Sequence, residues 1–170
     1  MMRAKNKILT VGLLAILSLV ALLQVNNQST IKNIDFHTIS GETFDMQSLK
    51  GRPALITFWS TDCPSCIEEI PHLIELHQKY ANQGFKIIAV TMEYTPPNQV
   101  VAMTEAKQLP YAIVLDPDSA IAHHFGDIRL TPTSFLINPN GTIEKHIIGS
   151  FNQAEMINLL DGWLISKTTG

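Results

Sequence analysis

Cys63 and Cys66 are the only cysteines in the chain, and Pro64 and Ser65 separate them. A thiol pair at this spacing can run disulfide exchange. One thiolate attacks a substrate disulfide, and the second attacks the mixed disulfide and frees the substrate. The first step needs a thiolate near neutral pH, and the second needs a thiol within one helical turn. The apolar run Ala54–Trp59 ends just before the pair, and Pro64 is a favourable first-turn helix residue. Cys63 therefore falls at a strand-to-helix junction, beside orphan N–H groups and the positive helix end that favour thiolate over thiol.

Plainer readings fit less well. A structural disulfide here closes a tiny loop, with an entropy term of about 2 kcal/mol, a weak staple for a domain of this size. Zinc wants about four ligands, there is no second cysteine pair, and adjacent helical residues such as His123 and His124 point about 100° apart. Two inert thiols do not call for a helix start. The place of the C-x-x-C pair, more than its spacing, makes the signal specific.

Glu69 lies three residues past Cys66, on the same side of the helix expected to begin at Pro64. A carboxylate there can take the Cys66 proton during resolution, and it raises thiol pKa values by like-charge repulsion. Glu68 reads as solvated helix surface. Trp59 at the strand end reads both as core aromatic and as a site wall. Asp62 opposes the Cys63 thiolate, and Ser65 adds no charge to help it. His72, His77, His123, His124 and His146 read as surface or half-buried residues.

The elements that must hold these groups alternate in type. Strands are expected over 31–39, 54–59, 85–91, 112–115, 133–137 and 142–148, with Phe44–Lys50 a turn or short helical piece. Helices are expected from Pro64 to about Asn82, over 98–109, 119–125 and 152–166. In the first of them Ile67, Ile70, Ile74 and His77 form the apolar face, and Pro71 should kink or loosen it. Such alternation describes an α/β layered domain.

The chain has 170 residues, 45% hydrophobic and 16% charged, with formal net charge −3. That thin spread of Lys and Arg excludes a nucleic-acid surface, which needs concentrated positive charge. The first seven residues carry three positive charges, and Ile8 to Val25 carry none of either sign. Eighteen helical residues rise about 27 Å, enough for a short or thinned bilayer span. The expected organisation is a cytoplasmic basic leader 1–7, a transmembrane signal-anchor 8–25, a linker 26–30 and a globular domain 31–170 outside the membrane. A cleaved signal peptide shares this layout.

Phe58-Trp59-Ser60-Thr61-Asp62-Cys63-Pro64-Ser65-Cys66, then Glu68-Glu69-Ile70-Pro71, then Asp127 to Ile137 with the turn Asn138–Gly141, resemble the thioredoxin superfamily. The resemblance is to its membrane-anchored TlpA- and ResA-like members and the related CcmG/DsbE reductases, and it covers nearly all of the chain beyond Ile31. It implies a thioredoxin-like α/β fold, a central mixed β-sheet flanked by helices behind an N-terminal transmembrane helix. It makes Cys63 the exposed nucleophile, Cys66 the resolving thiol and Glu69 a tuning carboxylate. It makes Pro132 the family's cis-proline, presenting the Thr131 backbone to a bound peptide beside Trp59, Pro64 and Ser65. On the residues alone Pro132 equally fits a strand start. Asp62 departs from the family's common Trp, and Ser65 from its Pro or basic residue, which bears on which substrate fits.

The function implied is a periplasmic, inner-membrane-anchored thiol–disulfide oxidoreductase that reduces disulfides of partner proteins. Its substrates would be proteins of cytochrome c maturation or copper-centre assembly, and a membrane electron donor would restore the dithiol. No cofactor or metal is expected besides the Cys63–Cys66 disulfide. The alternatives are a disulfide-introducing oxidase, a copper(I) chaperone using both thiolates, a structural adaptor, and a thiol peroxidase. For the peroxidase, Thr61-Asp62-Cys63 has the wrong spacing.

Overall fold

The computed structural model describes residues 33–164. The leader, the anchor, the linker and the last residues of the closing helix lie outside the described residues. Among the described residues no helix is long and apolar enough to cross a membrane.

Strand β3 (Ala54–Trp59) is apolar on both faces, and all six of its residues are buried, as a central strand requires. It pairs in parallel with β4 (Lys86–Thr91) and antiparallel with β6 (Thr133–Ile137). With β5 (Ala112–Val114) and β7 (Ile143–Ile148) these form a mixed five-stranded sheet of order β5-β4-β3-β6-β7. At the edge, β7 alternates between half-buried and exposed residues, the pattern of a strand covered on one face. A separate antiparallel hairpin joins β1 (Asp35–His37) to β2 (Thr43–Asp45), with Phe36 stacked on Phe44 at 5.3 Å.

Each face of the sheet has its own core. Helices α1 (Pro64–Tyr80), α2 (Pro97–Ala106) and α4 (Gln153–Leu164) cover one face, where Leu55, Ile87 and Leu136 meet Leu73, Tyr80, Val100 and Leu160. The hairpin and the short α3 (Ala120–His124) cover the other, through Phe36, Phe58, Phe125 and Phe135. Asp116 carboxylate oxygens accept the Ile121 and Ala122 N–H groups at 3.0 and 2.8 Å and start α3.

Local departures from the sequence expectation have physical reasons. Phe44–Lys50 divides into β2 and a 3-10 turn over Met46–Leu49, because the Asp45 side chain caps the Ser48 N–H at 2.9 Å. Helix α2 ends at Ala106 rather than Leu109, since Gln108 takes a φ of 49°. In α1 the buried stripe is Cys66, Glu69, Ile70, Leu73, Leu76 and Tyr80, so Ile67, Ile74 and His77 are only half-buried. The dithiol sets this phase: turning Cys66 toward the sheet carries Glu69 inward with it. Pro71 lies on the exposed side, and the helix continues through it.

Candidate active site

The parallel pairing of β3 with β4 brings their C-terminal ends together, and the antiparallel register sets Thr133 of β6 opposite Phe58. The loop leaving β3, the loop leaving β4 and the segment entering β6 therefore share one end of the sheet. Cys63 occupies the first of these positions as the N-cap of α1, with extended backbone, and a disulfide joins it to Cys66. The Cys66 N–H donates to Cys63 Sγ at 3.2 Å, and Ser65 Oγ lies 3.5 Å from the same sulfur. A thiolate formed at Cys63 inherits that donor and the positive end of a 17-residue helix.

Cys63 is the more accessible cysteine, at 8% against 3% for Cys66, yet both are buried. The expected exposed nucleophile is thus shielded while the disulfide is closed. Asp62 points outward: its Oδ1 accepts the Ser60 hydroxyl at 2.6 Å, and its residue is exposed to solvent that screens its charge. Thr61 Oγ1 donates to Gln99 Oε1 at 2.9 Å, tying this loop to α2.

Glu69 is 5% exposed. With Trp59, Cys66, Leu73, Ala89 and Tyr111 it lines a cavity of about 10 Å³ behind the disulfide. Its Oε1 accepts the Phe151 backbone N–H at 3.0 Å. Burial pushes the Glu69 carboxyl up to about 6, against the opposing pull of the Phe151 N–H and of His72. Burial also raises the Tyr111 hydroxyl, and the nearby Glu69 charge raises it further. Trp59 is buried as a wall, and its Nε1–H meets no acceptor among the described residues.

The Thr131–Pro132 peptide bond is cis. Pro132 is buried and Thr131 half-buried; the Pro132 carbonyl accepts the Gly149 N–H at 2.8 Å. Pro64 is exposed and Ser65 half-buried beside the disulfide. Trp59, Cys63, Cys66 and Glu69 thus converge, and Thr131 and Pro132 lie at the same end of the sheet. Of the other histidines, His123 pairs with Asp127 at 2.5 Å, His146 stacks on Phe135 at 4.3 Å, and His72, which also acts on Glu69, bonds Gln153. Sequence reasoning missed Tyr111 and Phe151. Nothing local in Leu109-Pro110-Tyr111 or Ser150-Phe151 marks either as a neighbour of Glu69.

The raised Glu69 carboxyl has a stability consequence. Its folded-state value, about 6, stands above the ordinary 4.5. The folded protein thus holds its proton more tightly than the unfolded chain, and this stabilisation is lost as pH rises from 4.5 through 6. The ionised carboxylate then costs roughly 2 kcal/mol, at 1.36 kcal/mol per unit. Oxidised Glu69→Gln should therefore be more stable than the unsubstituted protein at pH 8, with the difference shrinking toward pH 4.5. Urea unfolding at both pH values measures it, and equal stability at pH 8 would contradict the assignment.

Known proteins resemble this chain in sequence and fold. The Redoxin family model matches residues 26–160. The chain is 33% identical over 121 residues to the thiol–disulfide oxidoreductase ResA of Halalkalibacterium halodurans, covering 71% of this chain and 68% of that protein. It is 31% identical over 121 residues to the sporulation thiol–disulfide oxidoreductase A of Bacillus subtilis, covering 70% and 72%. The crystal structure of StoA from Bacillus subtilis superposes with a TM-score of 0.64 at 28% identity, over 75% of this chain and 96% of that one. A thiol:disulfide interchange protein from Chlorobium tepidum, 23% identical, shares the fold at a TM-score of 0.74, over 81% and 97%. A dithiol at a helix start, backed by a sheet of this order and matched over this length, makes the chain a member of the redoxin family, one of the ResA-like thiol–disulfide oxidoreductases of the thioredoxin superfamily.

Proposed function

We propose that the enzyme works as a reductase at an extracytoplasmic membrane surface. The observation that carries this reading is a buried carboxylate, Glu69, held behind the resolving cysteine of a helix-capping disulfide. In the reduced enzyme Cys63 attacks a partner disulfide, and one partner sulfur leaves as thiolate. Glu69 then takes the Cys66 proton, the Cys66 sulfur attacks Cys63, and the second partner sulfur leaves. Two electrons pass from the enzyme dithiol to the partner, and the enzyme disulfide is re-reduced by a membrane electron-donor protein.

Thr131 and Pro132 dock the partner's backbone beside Trp59, Pro64 and Ser65. The apolar segment 8–25 holds the domain at the membrane, where tethering raises the effective concentration of membrane-bound donors and substrates. Family resemblance supports two substrate classes: the haem-binding cysteines of c-type apocytochromes and the thiols of copper-centre proteins. The relatives named ResA and sporulation thiol–disulfide oxidoreductase A share the dithiol chemistry that both need.

Direction is tested by the reduction potential of the Cys63/Cys66 pair, equilibrated against glutathione or dithiothreitol buffers. A value below about −200 mV is expected of a dedicated reductase fed by a membrane donor. One near −120 mV, the range of a strong oxidant, would overturn the direction and make disulfide introduction the activity.

A further inference from the structure

The turn between β7 and α4 makes two backbone contacts with the site, two residues apart. The Gly149 N–H donates to the Pro132 carbonyl at 2.8 Å, and the Phe151 N–H donates to Glu69 Oε1 at 3.0 Å. One contact reaches the docking segment and the other reaches the carboxylate behind Cys66. The half-buried Phe151 side chain packs against the core cluster that contains Cys63 and Cys66. Gly149 holds a φ of 90°, and a Cβ there would meet nothing within 4 Å. Its demand for glycine is therefore conformational rather than a matter of space.

We propose that residues 149–151 form a positioning strap that couples the protonation of Glu69 to the placement of the Pro132 carbonyl. The proposal rests on Glu69 being the proton acceptor of the reading above. A carboxylate accepts an N–H roughly twice as strongly as a neutral acceptor does, so protonation slackens the Phe151 end. The segment is too short to absorb that change without passing it to Gly149, the next donor but one. During resolution the Cys66 proton goes to Glu69, the Cys66–Cys63 bond forms, the bond from Cys63 to the partner breaks, and the partner leaves as thiolate. The strap thus loosens its hold on the docking segment in the step that releases the product. Gly149 and Phe151 are positioning residues in this scheme and touch no reacting atom.

The titratable groups facing Glu69 are His72 from the next turn of α1, Tyr111 from the segment entering β5, and Cys66. The first-turn acid of α4, Glu155, is engaged with Lys145 of β7 at 2.7 Å.

The test follows the backbone amides of Gly149 and Phe151 by NMR in the oxidised full chain from pH 4.5 to 8. Both are expected to titrate with one shared midpoint near 6, and both should go flat in Glu69→Gln. A titrating Phe151 beside an unresponsive Gly149 would overturn the coupling, and so would a Gly149 titration that survives in Glu69→Gln, since its source would then be a group other than Glu69. Gly149→Ala supplies a second reading. Loss of the Phe151 contact should raise the Glu69 midpoint, followed by its carboxyl infrared band, by roughly one unit, and an unchanged midpoint would refute the strap. The oxidised protein needs no turnover for these measurements. They stand apart from the kinetics of Glu69→Gln, which decide whether Glu69 accepts the proton at all.

Discussion

Cys63→Ser is expected to abolish disulfide reduction, by at least about 10³-fold, the scale on which loss of an attacking nucleophile is felt. Cys66→Ser should be equally inactive in turnover but should differ in what it leaves behind. With Cys63 intact the first attack still proceeds, and with no second thiol the mixed disulfide persists. Mass spectrometry of Cys66→Ser after exposure to a disulfide peptide should show a stoichiometric adduct at Cys63 that dithiothreitol removes. The asymmetry follows from geometry: Cys63 caps the helix and is the more accessible sulfur, while Cys66 lies one turn inside beside Glu69. An adduct on Cys63→Ser instead of Cys66→Ser would reverse the two roles.

The dithiol was legible because its signals are local. A six-residue run that is apolar but for Thr57, a cysteine and a proline mark a strand-to-helix junction without any knowledge of distant residues. The central strands were legible for the same reason, since a strand buried on both faces is mostly apolar and its few polar side chains pair with one another, as Ser134 does with Thr57. The phase of α1 was not. Ile67, Ile70, Ile74 and His77 make a fair apolar stripe, but the real one includes a glutamate, because the phase that buries Cys66 turns Glu69 inward at the cost of desolvating it. Periodicity read from hydrophobicity alone rotates the helix away from its buried glutamate.

The surroundings of Glu69 come from chain segments far apart in sequence. Phe151 lies 82 positions away and bonds through its backbone, which carries no residue-specific signal. Tyr111 approaches because β5 pairs with β4, and the three-residue β5 is too short to announce its register. At Pro132 the residues left an ordinary strand start open, and family resemblance supplied the reading of a cis bond; the Thr131–Pro132 bond is cis. Roles of this kind depend on tertiary assembly, so spacing along the chain cannot reveal them.

Glu69→Gln should slow the resolving step, and two opposed effects must be weighed to say by how much. Removing the charge favours the Cys66 thiolate, because a like-charge neighbour is gone. Removing the base takes away a positioned proton acceptor, which contributes about 10²–10⁴-fold. The second effect is larger, so at pH 7 the variant should resolve a preformed mixed disulfide roughly 10–10³-fold more slowly. The pH dependence separates the two contributions. Glu69 accepts a proton only when ionised, so the unsubstituted rate should rise through about 6 and then level, with the inflection moved upward by any nearby thiolate. In Glu69→Gln no such inflection remains, and the rate should climb with pH until the Cys66 thiol itself has ionised. Single-turnover release of a thiol-tagged peptide between pH 5 and 9 resolves both curves. A variant as fast as the parent across that range would make Glu69 a tuning charge alone, and the proton of Cys66 would then have to leave directly to solvent. The near-complete burial of Cys66, at 3% exposure, argues against that route.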